Sequence, residues 1–164
     1  MAYLLDANVF IAAKNLHYGF DFCPAFWDWL IERHEACAVF SVEKVGYELR
    51  DVEDELSEWA DARGHQFFVP VDGSSVGSLR AVSQWTTGQN YEPAAIANFL
   101  QVADYYLAAQ AHAGGHIVVT HEVPSSSKRK IKIPDVCIGL GITCMTPFEM
   151  LRRERARFVL GRNP

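Results

Sequence analysis

A chain of 164 residues with 49% apolar and 21% charged residues has the balance of one globular domain that can bury a core, which excludes a disordered or low-complexity protein. No apolar stretch approaches the length of a membrane span, and Met1 leads into apolar residues without the basic segment of a secretion signal, so a cytoplasmic protein away from membranes is expected. The net charge of −5 hides an asymmetry, because residues 1–127 carry 6 Lys or Arg against 17 Asp or Glu, whereas residues 128–164 carry 9 against 3.

In chain order, residues 2–5 form a short apolar strand that runs out at Asp6, Ala7 and Asn8. Residues 24–35 form an amphipathic helix with Pro24 in its first turn and Phe26, Trp27, Leu30 and Ile31 on its apolar side. A second strand covers 36–40, and Ser41 is placed to cap a helix reaching about Asp51 that carries Glu48. A further helix covers 52–63 with a solvated charged face, and a third strand at 66–69 ends at Pro70. Residues 75–85 are helical, and Pro93 opens one long helical region to about 113, in which Asp104 sits among Phe99, Leu100, Val102, Ala103, Leu107 and Ala108. Gly114 and Gly115 stop that helix. Residues 116–120 form a fourth strand, apolar enough for burial on both faces, with Glu122 just beyond it. The polar stretch 125–132 reads as a loop, 142–145 as the last strand, and Pro147 as the start of a final helix. Strands alternating with helices predict an α/β fold, with a five-stranded, mainly parallel sheet between helical layers. No internal repeat or interdomain linker is visible, so residues 1–164 read as one domain.

Four acids stand in related places. Asp6 ends strand one, Glu48 sits on the helix after strand two, Asp104 on the helix before strand four, and Glu122 follows strand four. In open parallel sheets, ligands bind beyond the carboxyl ends of the strands. If strands one and four are neighbours, the four carboxylates share a crevice there. Close negative charges stay ionised together only around something positive, and hard oxygen donors suit Mg²⁺ or Mn²⁺. Read singly, Asp6 could be a cap and Glu48 and Glu122 surface residues. Asp104 is harder to set aside, since an acid on an apolar helix side is costly unless paired.

The segments LLDANVF around Asp6, VGYEL around Glu48, VADYYLAAQA around Asp104 and VVTHE ending at Glu122 resemble the PIN-domain nucleases, which include the VapC-type toxins of bacterial toxin–antitoxin pairs. The likeness spans nearly the whole chain and is nearest to a poorly characterised PIN-like branch. It implies a single PIN-like α/β/α domain and cleavage of RNA with Mg²⁺ or Mn²⁺. It also implies that Asp6, Glu48, Asp104 and Glu122 are catalytic, with Asp6 and Asp104 the principal metal ligands, Glu48 a ligand or an orienter of the attacking water, and Glu122 the ligand of a second ion. Asn8 and Thr120 would orient a carboxylate or a water at the metal. Glu122 departs from the family's Asp by one methylene. Asp135 is therefore a rival or additional metal ligand, or else a cap for the helix that follows it.

Lys128, Arg129, Lys130 and Lys132, in a loop spanning about 124–134, start near the same crevice and could hold RNA phosphates, with salt-sensitive binding. A single strand or a tRNA loop fits a crevice better than a duplex does. The basic tail from about 152 reads as solvated and frayed. Cys23, Cys37, Cys137 and Cys144 lack CxxC spacing and read as four reduced core thiols. Trp27, Trp29, Trp59 and Trp85 read as core or interface anchors. An exposed part of that aromatic surface could seat an antitoxin segment or a second copy in a homodimer.

Three alternatives remain open. A catalytically inactive PIN-like binding module predicts weak metal binding. A phosphatase of the haloacid-dehalogenase type would need an acid where Asn8 stands. A Rossmann-type nucleotide binder would need GxGxxG after strand one, where Gly19 is the only nearby glycine.

Overall fold

A computed structural model describes residues 1–161. Its five strands are β1 (Tyr3–Leu5), β2 (Val39–Val42), β3 (Phe68–Val69), β4 (Ile117–Val119) and β5 (Cys144–Met145). They lie in the order β3-β2-β1-β4-β5, and every ladder is parallel. Tyr3 pairs with Val39 on one side and with Ile117 on the other, so β1 is central. The chain adds strands to one side of β1 and then crosses to the other. The gap between the β1 and β4 carboxyl ends is therefore the point where strand order reverses, which is where open α/β sheets hold ligands.

Helices cover both faces, giving three α/β/α layers. They are α1 (Ala7–Ala12), α2 (Pro24–Glu35), α3 (Glu43–Arg50), α4 (Glu55–Phe67), α5 (Val76–Thr87), α6 (Pro93–Phe99), α7 (Ala103–Gly114), α8 (Ile133–Leu140) and α9 (Pro147–Arg153). The main core gathers the strands with Phe10, Phe26, Leu30, Phe67 and Leu107. A second cluster, with Val82, Phe99, Ala108, Ala109 and Val136, lies among α5 to α8. Helix α7 serves both clusters. Leu107 and Ala111 face the sheet while Ala108 and Ala109 face the outer helices, which is why its sequence is apolar nearly all round.

Several boundaries differ from the sequence reading. Helix α1 and the π-helical turn Ala13–His17 occupy a stretch for which no element was expected. Strand β2 starts three residues later than expected, because α2 is followed by Cys37 in the left-handed region (φ 58°) before the chain extends. Ser41 consequently lies inside β2 and donates to the Leu5 carbonyl rather than capping α3. Asp54 and Ser57 form a reciprocal cap that starts α4 at Glu55, and α4 breaks at Gly64 (φ 61°), just past the expected end at 63, before a last turn to Phe67 that leaves β3 only two residues. The single helix expected over 93–113 is two, α6 and α7, broken at Leu100–Val102, so Asp104 stands in the first turn of α7. Gly115 (φ 64°) ends α7 with His116 N–H bonded to the Ala111 carbonyl.

The four thiols are free, and Cys37 is exposed rather than part of the core. Trp27 is buried, and Trp29, Trp59 and Trp85 pack half-buried against the two clusters. The basic tail is anchored rather than frayed as far as 158. Tyr3 donates to Glu154 at 2.6 Å, and the Phe158 ring meets those of Tyr18 and Phe26. Its last residues, 162–164, lie outside the described residues. Among the described residues no helix is long and apolar enough to cross a membrane.

Candidate functional site

Asp6 leaves β1 in an extended conformation and caps α1, accepting from Ala7 N–H at 2.7 Å. Its carboxylate is buried and also accepts from the Thr120 hydroxyl at 2.8 Å and the Asn8 amide at 3.0 Å. The same Asn8 amide nitrogen lies 3.1 Å from Thr120 Oγ1, and Asn8 Oδ1 accepts from His121 N–H at 3.0 Å. Thr120 Oγ1 accepts in turn from Glu122 N–H at 3.1 Å. One short network thus ties the end of β1 to the end of β4.

Asp6, Asn8, Glu48, Asp104 and Glu122 line one crevice of about 440 Å³ at this end of the sheet. Burial pushes Asp6 up to about 6, against the lowering effect of Thr120, with repulsion from Glu122 and Glu48 adding to the rise. Burial raises Asp104 to about 8, with repulsion from Asp6, Glu122 and Glu48 behind it and Lys130 opposing. No hydrogen bond to the Asp104 carboxylate is found among the described residues. Glu48 is exposed as a residue, yet its carboxyl turns into the crevice and is raised by desolvation while Ala103 N–H opposes. The elevated values of Asp6 and Asp104 have one origin, negative charge accumulated where water is scarce.

Glu122 is held differently. Its carboxylate accepts from Ile133 N–H at 3.1 Å, the first amide of α8, and pairs with Lys132 at 3.7 Å. The extra methylene lets it span the crevice edge and the α8 amino terminus. Asp135 is occupied elsewhere, accepting from Ser125 N–H at 3.1 Å and shaping the loop before α8, and it does not line the crevice. It stands in the first turn of α8, where Lys132 holds the cap position.

The oxygen donors facing the crevice could hold a hard cation. Among the described residues, however, no three His, Cys, Asp or Glu side chains converge as a ready-made metal cluster. The expected phosphate-binding cations are partly engaged. Lys128 donates to the Gln89 carbonyl and sits 4.9 Å over the Tyr91 ring, and Arg129 lies 3.6 Å from Glu92. Lys132 holds Glu122, and Lys130 is exposed.

The sequence reading missed the wall of the crevice supplied by Ile11, Asn15 and Leu16. The available signal was Asp6 as a cap, followed by Val9, Phe10 and Ala13 at helical spacing.

A family model described as a domain of unknown function, DUF4411, matches residues 3–158, and the chain belongs to that family. No curated protein and no solved structure matches the chain.

Proposed function

We propose that the protein is a PIN-type ribonuclease that hydrolyses RNA phosphodiester bonds with the help of Mg²⁺ or Mn²⁺. The observation that supports this reading is that Asp6, Glu48, Asp104 and Glu122 line one crevice at the β1–β4 switch point, where two of the carboxyls are held far above their ordinary values. Such repulsion is relieved by a cation, and an all-oxygen donor set fits Mg²⁺ or Mn²⁺ rather than a softer metal. That no three-ligand cluster is present among the described residues is compatible with this choice, since Mg²⁺ is commonly held by one or two carboxylates and keeps several waters.

Asp6 and Asp104 are the ligands in this reading, Asp6 being aimed by Asn8 and Thr120. Glu48, lining the same crevice, would hold the ion or orient the attacking water, and Glu122 would be the ligand of a second ion. When bound, the cation would supply Lewis-acid polarisation of the phosphate and a more acidic water. The chain's residues orient the donors and hold the negative charge that recruits the ion. Lys130, exposed and acting on Asp104 through its charge, would receive a substrate phosphate. A role as the toxin of a toxin–antitoxin pair, or as a homodimer, rests on the PIN-domain resemblance alone.

The test is incubation of purified protein with mixed RNA, including tRNA, in Mg²⁺ or Mn²⁺ and in EDTA, beside Asp104→Asn. Cleavage in the metal, abolished by EDTA and reduced at least about 100-fold in the variant, is the expected outcome. A second reading, an inactive binding module of the same fold, is favoured by the engagement of Glu122 with Ile133 and Lys132. It predicts RNA left intact under every condition.

A further inference from the structure

Beside the acidic crevice, three rings from distant parts of the chain meet at the surface. His17 ends the π-helical turn after α1, His121 directly follows β4 and precedes Glu122, and Phe148 lies in the first turn of α9. The His17 and Phe148 rings are 5.1 Å apart and edge-on at 87°, His17 and His121 are 5.7 Å apart at 33°, and His121 and Phe148 are 5.6 Å apart at 62°. His17 is exposed and the other two are half-buried, so the cluster lies partly open to solvent. The buried aromatic core around Phe10, Phe67 and Phe68 is formed by other residues.

This cluster is joined to the acids by short links. His121 N–H donates to Asn8 Oδ1 at 3.0 Å, and the amide of the same Asn8 holds Asp6 and Thr120. Asn15 and Leu16, the two residues before His17, line the acidic crevice. The segment that walls the crevice therefore continues into the ring cluster, and its π-helical turn is of a kind often found at functional positions. On the outer side, Phe148 shares a small cavity of about 210 Å³ with Tyr18 and Arg152, which places a basic residue beside one member of the cluster.

We infer that His17, His121 and Phe148 form a stacking seat for one unpaired base of single-stranded RNA, adjacent to the phosphodiester held at the carboxylates. The inference deepens the nuclease reading and rests on it. Every base has a π face, so such a seat tolerates sequence while demanding that the base be free of a helix. It thereby names the substrate class as single-stranded, with Arg152 placed to meet a neighbouring phosphate.

The test is equilibrium binding, in EDTA so that no strand is cut, of a fluorescein-labelled mixed-sequence RNA of about 12 nucleotides. Wild type is compared with Phe148→Ala, Phe148→Trp and His17→Ala, and with a strand of the same length whose units lack bases. The seat predicts binding weakened about tenfold in Phe148→Ala and measurably in His17→Ala, recovery in Phe148→Trp, and equal weak binding of the baseless strand by all four proteins. His17 is exposed, so its variant decides the matter if Phe148→Ala fails to fold. Unchanged RNA affinity in the alanine variants, or wild-type preference for the baseless strand, overturns the seat. RNA cleavage in Mn²⁺ by a protein that ignores the rings leaves the nuclease and removes the seat. Ring-dependent binding without cleavage under any metal condition removes the nuclease and keeps the seat.

Discussion

At the residue scale, Asn8 joins the ends of two strands. It touches Asp6, Thr120 and the backbone of His121, so one amide sets the aim of a carboxylate and the path of the chain after β4. The acids it organises make stability depend on pH. Asp6 at about 6 and Asp104 at about 8 bind protons more readily in the folded protein than at the ordinary value of 3.8. The fold thus holds extra protons between roughly pH 4 and 8, and stability must fall as pH rises through that window. The expected result is a urea midpoint lower at pH 8 than at pH 5, with the drop reduced in Asp104→Asn and largely reversed at pH 8 by millimolar Mg²⁺. Much of this site was legible in the sequence, because Asp6 and Glu122 flank strands that are visibly apolar and Asp104 interrupts an apolar run. The bond from His121 to Asn8 was not, since a backbone donor has no residue signature. Nor was the pairing of Lys132 with Glu122, which gives one of the four expected phosphate-binding cations a structural task.

At the scale of elements, the break between α6 and α7 escaped the sequence reading because residues 100–102 contain neither Gly nor Pro and the apolar pattern continues across them. Val102 turns extended there, and Asp104 gains a place in a first turn, where helix amides favour negative charge. The close seat of α3 on the sheet depends on Gly46. A Cβ at that position would lie 2.9 Å from Phe68 Cγ and 3.1 Å from Phe68 Cβ, and Phe68 is fully buried. Gly46→Ala would gain about 1 kcal/mol of helix propensity and lose about 2–3 kcal/mol to overpacking against a fully buried ring, for a net cost of about 1–2 kcal/mol in urea melts. Because Glu48 is two residues further along the same helix, the variant should also lower any metal-dependent RNA cleavage measured at a temperature where it remains folded.

Over the whole molecule, the charge asymmetry visible in the sequence becomes a folded arrangement. The acidic body is met by the basic loop, with Arg129 on Glu92, Lys132 on Glu122 and Lys128 on Tyr91 and the Gln89 carbonyl. Four free lysines and arginines binding single-stranded RNA would give a log affinity against log salt slope near −3, from about −0.7 per contact. With most of the loop already engaged, a slope shallower than about −2 is expected in fluorescence titrations across salt. The strand order was only partly foreseeable. The neighbouring of β1 and β4 follows from the doubly wound pattern, whereas β3 and β5, at two residues each, are defined by their ladders more than by their sequence.

The bond from Ile133 N–H to Glu122 turns one amide proton into a gauge of what occupies the crevice. That proton sits at the head of α8, where no earlier helical carbonyl can accept it, so its protection against exchange with solvent depends on a side chain that a cation would also want. In NMR hydrogen-exchange experiments, Mg²⁺ should speed the exchange of the Ile133 amide selectively while slowing exchange around Asp6. An Ile133 amide indifferent to Mg²⁺ would assign Glu122 to joining the loop and helix and not to the ion.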